Sequence, residues 1–105
     1  MKIFTKRAFD ETREVHRLSR QHNGKEKEKH EQKLLSLMRK HVDEIEDLYQ
    51  DKDKHFLIET GDLAVLCLEM FLENKVSADD IMVHCFNRYQ EKLKSLIKKR
   101  KNDKS

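Results

Sequence analysis

Residues 55–73, HFLIETGDLAVLCLEMFLE, are mostly apolar in a chain that is 41% charged, yet their acids are not scattered. Glu59 and Asp62 are three residues apart, and Asp62 and Glu69 seven apart. At about 100° per residue these carboxylates share one side of a helix. A helix that is apolar nearly all round is a buried helix. Carboxylates are almost never fully buried without a partner. A second chain, a cation or water must therefore meet that side.

The rest of the chain supports long helices joined by short connections. It has 105 residues, no proline and two glycines, Gly24 and Gly61, which predicts one all-α domain over 1–105. Hydrophobic content is 36%. So thin an apolar supply predicts a four-helix, bundle-like core completed by oligomerisation.

A first helix is predicted over residues 3–21, on Phe4, Ala8, Val15 and Leu18, with a stop at Asn23-Gly24. Residues 25–31, KEKEKHE, read as a solvated first turn of the next helix or a flexible connection. The second helix runs from about His30 to Gln50. Its apolar stripe is Leu34, Leu35, Met38, Val42, Ile45, Leu48 and Tyr49, and Asp43, Glu44 and Asp47 lie nearly opposite. Gly61 in the third helix costs about 1 kcal/mol against alanine, which makes sense where a backbone or ligand comes close. Ser77 is a predicted N-cap for a fourth helix, with Ile81, Met82, Cys85, Phe86, Tyr89, Leu93, Leu96 and Ile97 on one side.

Net charge is +3 with pI ≈ 8.8, but residues 98–105 form a basic polar tail and the body is slightly acidic. Nucleic-acid binding is not inferred from that balance. Cys67 and Cys85 sit in apolar helical runs and read as reduced core thiols. No stretch approaches the roughly 20 apolar residues of a membrane span, and the N-terminus lacks the core of a signal peptide. A cytoplasmic protein is expected, with no membrane partner.

The acids of the second and third helices suggest chemistry. If Asp43, Glu44 and Asp47 face Glu59 and Asp62, five carboxylates converge. Oxygen-rich clusters suit hard divalent ions, Mg²⁺ first and Mn²⁺ as a substitute. The reaction class implied is displacement at phosphorus by water. Acids opposite an apolar stripe are otherwise simply the solvated side of a helix. His41, toward the apolar side of the second helix, and His84 read as structural or surface residues. Tyr49, Phe56 and Tyr89 read as core.

The stretch HVDEIEDLYQDKDKHFLIETGDLAVLCLEMFLENKVSADD resembles the MazG-like, all-α nucleoside triphosphate pyrophosphohydrolases. Their signature, E-E-x-x-E followed after a gap by E-x-x-D, is matched by D-E-I-E-D at 43–47 and E-T-G-D at 59–62. The resemblance spans roughly residues 34–97. It implies a homodimer or homotetramer that cleaves a nucleoside triphosphate to monophosphate and pyrophosphate. It also implies Glu44, Asp47, Glu59 and Asp62 as metal ligands. Asp43 and Glu44 are implied as the catalytic acids, Asp43 as a ligand or a residue orienting the attacking water. Asp43 and Asp47 stand where the signature has glutamate. The family's K-N-x-x-R-like phosphate segment falls on Asn87, with Phe86 and Gln90 in place of its cations. Arg88, Lys92 and, before the third helix, Lys54 are the cations offered to phosphate instead. A non-catalytic MazG-like protein that binds a nucleotide or a protein partner is the alternative.

Overall fold

The computed structural model describes residues 2–103, and these form four helices with no strand among them. They are α1 (Lys6–Asn23), α2 (Lys27–Gln50), α3 (Phe56–Glu73) and α4 (Ala78–Asp103). The all-α, four-helix expectation holds.

Local chemistry sets the boundaries. The Thr5 hydroxyl accepts the Ala8 amide at 3.1 Å, so α1 starts at Lys6, later than its apolar spacing predicts. The amides of Ile3 and Phe4 instead donate to the Asp79 carboxylate at 2.9 and 3.0 Å, tying the N-terminal segment to the start of α4. Gly24, with φ 97°, ends α1 as expected. Residues 27–31 are already helical, with Lys27 Nζ 2.7 Å from Glu31 Oε1. Helices α2 and α3 end alike. Lys52 donates to the Tyr49 carbonyl and Asp53 to that of Leu48; Lys75 donates to Leu72 and Val76 to Phe71. These are Schellman ends, with Lys52 (φ 58°) and Lys75 (φ 55°) in the left-handed position that glycine usually fills. The Ser77 hydroxyl accepts the Asp80 amide at 3.2 Å, as a serine cap should.

Helices α2 and α3 form an antiparallel hairpin, because His30 meets Glu73 at one end and His41 meets Glu59 at the other. Helix α1 lies against both, while α4 packs against α3 alone. Every residue from Phe86 to Asp103 is exposed. The radius of gyration is 17.2 Å, against about 13 Å for a compact chain of this length.

Few apolar side chains are buried: Leu34, Leu66 and Ala78. Thr12, His30, Glu69 and Glu73 are buried beside them. The line of α2 turned toward α3 is His30, Leu34, His41 and Glu44, which lies at the edge of the leucine stripe rather than at its centre. The centre of that stripe stays open: Leu35 is 42% exposed, Val42 49% and Tyr49 67%. On α3, Leu57 and Ile58 are both 58% exposed. Four expectations change. Glu69, on the side expected to meet water, a cation or a second chain, is buried within this chain. Tyr49 and Tyr89, expected in the core, are both exposed. Cys67 is exposed and Cys85 half-buried, so neither is a core thiol within the chain. Beyond its flanking residues and its own helix backbone, no atom lies within 4 Å of where a Cβ on Gly61 would sit, so no packed neighbour in this chain requires glycine there.

Candidate metal centre

The α2–α3 seam carries its acids near the connection between the two helices. Glu59 opens α3 and Asp62 follows one turn later. Across the seam, His41 and Glu44 occupy the matching positions on α2, also one turn apart. The ligand atoms of His41, Glu44 and Glu59 lie within 4.8 Å of one another, and all three residues are half-buried.

His41 lies between the carboxylates. Its Nδ1 is 2.8 Å from the Leu37 carbonyl oxygen, which only accepts, so Nδ1 carries a proton. Nε2 then points at Glu59 Oε2 (3.4 Å) and Asp62 Oδ2 (3.8 Å). His55 Nε2 approaches the other Glu59 oxygen at 3.6 Å. Glu59 Oε2 is buried with no hydrogen-bond partner. A ring whose Nδ1–H is anchored on a carbonyl presents Nε2 either as a proton-bearing partner of the acids or as a ligand to a shared cation.

The structure redraws the expected constellation. Glu44 and Glu59 come together, and Asp62 joins through His41. Asp43 and Asp47 are exposed and neither enters the group. Asp43 lies about 200° round α2 from His41, so both residues cannot face α3. The pair on α2 facing Glu59-x-x-Asp62 is therefore His41-x-x-Glu44 and not an all-acid run. Read as a surface or structural histidine, His41 was missed. The available signal was its three-residue spacing from Glu44, the same as that between Glu59 and Asp62.

The expected phosphate contacts are not assembled by one chain. Asn87, Arg88 and Lys92 are exposed on α4, which makes no packing contact with α2. Arg88 and Lys92 lie over their neighbour Tyr89, at 5.6 and 5.9 Å from the ring centre. Lys54 is exposed in the α2–α3 connection.

The donor set of His41, Glu44 and Glu59, with Asp62 beside it, could hold a divalent ion. Three carboxylates and one imidazole, one carboxylate oxygen orphaned, would gain from a cation. The nitrogen shifts preference from Mg²⁺ toward Mn²⁺, because Mg²⁺ favours oxygen. No helix among the described residues is long and apolar enough to cross a membrane. Compared with protein-family models, curated proteins and solved structures, the chain matches none.

Proposed function

We propose that the protein is a divalent-metal-dependent nucleoside triphosphate pyrophosphohydrolase, with His41, Glu44, Glu59 and Asp62 as its metal-holding residues. The observation that carries this reading is the buried Glu59 Oε2, which has no hydrogen-bond partner, within a group of convergent ligand atoms. The ion, Mn²⁺ or Mg²⁺, would supply positive charge to the phosphates and activate water. Glu44 would accept the proton as water attacks phosphorus and pyrophosphate departs with the bonding electrons. His41, its Nδ1–H held by the Leu37 carbonyl, would offer Nε2 to the ion beside Glu59 and Asp62.

The same reading includes a second copy of the chain. The open stripe of Leu35, Val42 and Tyr49 on α2, the exposed Leu57 and Ile58 on α3, and the apolar side of α4 give it a surface to cover. Cations on α4 would then reach the acids from a partner subunit.

The test is pyrophosphate release from a panel of canonical and modified nucleoside triphosphates with Mn²⁺ or Mg²⁺. Glu59→Gln removes the charge without changing shape and should abolish release. Absence of release from the whole panel with both ions would sink the reading. The failure of α4 to bring Asn87, Arg88 and Lys92 to α2 favours a second reading, a non-catalytic nucleotide-binding protein. Metal and nucleotide binding without turnover would select it.

A further inference from the structure

At the other end of the α2–α3 seam, where α1 crosses it, lies a second convergence of polar groups that the proposed activity does not use. His16 comes from α1, His30 from α2, and Glu69 and Glu73 from α3. The Glu73 carboxylate is the hub. Its Oε2 is 2.7 Å from His16 Nε2 and 3.7 Å from His30 Nε2. The ligand atoms of His16, His30 and Glu73 all lie within 4.8 Å of one another.

Two atoms here have no partner. His30 is fully buried, yet its Nε2 makes no hydrogen bond. Glu69 is 2% exposed, yet its Oε1 makes none. Each orphan of this kind costs about 1–3 kcal/mol. An ion pair between His16 and Glu73, with Arg20 Nε 3.6 Å from the same oxygen, satisfies Glu73 but leaves both orphans.

We propose that His16, His30 and Glu73 form a buried divalent-cation site of the zinc type, separate from the His41 group. Two imidazoles and a carboxylate are a ligand set that zinc takes in tetrahedral sites. The fully buried His30 ring presents an Nε2 with no hydrogen-bond partner toward Glu73. Its Nδ1 is 3.2 Å from the Asn23 carboxamide. The atom facing it is Nδ2, which also lies 3.3 Å from the Ser19 hydroxyl; turning the amide over puts Oδ1 toward Nδ1–H, lets the Ser19 hydroxyl donate to it, and frees Nε2 for the ion. Arg20, whose side chain is 30% exposed, can swing to water as the ion enters past the half-exposed His16. An ion there would join α1, α2 and α3 at one point, in a chain with few buried apolar side chains.

The experiment strips the full-length protein with a chelator and titrates it with Zn²⁺ and with Co²⁺. Metal content, the visible Co²⁺ spectrum and the melting temperature are the readouts. Glu59→Gln serves as the background, so that the His41 group is impaired throughout. One tightly held ion per chain is expected, with a tetrahedral-type Co²⁺ spectrum and a higher melting temperature. His16→Gln and Glu73→Gln should each weaken binding ~100-fold. His16 is half-exposed, so its variant should still fold if His30→Gln does not. No stoichiometric binding in the background protein, or binding unchanged in His16→Gln, overturns the proposal.

Discussion

If the proposed second copy covers the open stripe of α2, Val42→Glu should hold the chain as a monomer. Val42 is 49% exposed on the open stripe of α2, between Leu35 and Tyr49 at seven-residue intervals. Complete burial of a valine is worth about 1.5–3 kcal/mol, so the exposed half represents about 1 kcal/mol per protomer. A carboxylate in its place must be desolvated when the second copy docks, and that costs several kcal/mol per ion. A two-fold interface contains the position twice. The sum is roughly 5 kcal/mol or more, which is over about 10³-fold in Kd. Sedimentation velocity over a concentration series reads this directly. Wild type should sediment as a dimer or tetramer and Val42→Glu as a monomer at the same concentrations. Helix content by circular dichroism should persist, because the isolated chain already leaves Val42 half in water. Identical sedimentation of the two proteins, or a wild type monomeric throughout, would refute the reasoning from the uncovered stripe.

Other consequences concern the acids and the caps. His41→Glu exchanges a nitrogen donor for oxygen, so the ratio of Mn²⁺- to Mg²⁺-supported pyrophosphate release should fall; initial rates with each ion check this. Backbone amides of Ile3 and Phe4 hold the Asp79 carboxyl below its ordinary value of 3.8. A depressed carboxyl contributes stability above its unfolded value and loses it as pH falls through its folded value. The amide resonances of Ile3 and Phe4 should therefore stay in their bonded positions near pH 4 and move only under stronger acid, while Asp79→Ala should move them at neutral pH. Lys75→Gly relieves a left-handed side-chain conformation worth roughly 1–2 kcal/mol. The unfolded chain gains flexibility worth about 0.4–1 kcal/mol against it. A net gain of about 0.5–1 kcal/mol should appear in urea unfolding.

The four helices were legible because helix periodicity, a serine cap and Gly24 are local signals, each acting within a few residues. Where local signals misled, a distant contact was responsible. Ile3 and Phe4 stay out of α1 because Asp79 holds their amides across the fold. Of the expected site, Glu59 and Asp62 were legible from their spacing within an apolar helix. Asp43 and Asp47 were not properly placed, because acid-rich text does not say which edge of α2 meets α3. His41 looked ordinary for the same reason.

Taken alone, the sequence determined the helical class, the helix count and the shortage of apolar material. These depend on composition and on spacing along one chain. Only the tertiary structure decided the rotation of α2 about its own axis. That rotation places His30, Leu34, His41 and Glu44 at the seam, leaves Leu35, Val42 and Tyr49 in water, and brings two histidine–carboxylate groups together. A helix can present either the centre or the edge of its apolar stripe to a neighbour. The choice is made by which partners are available, and those lie far away in sequence.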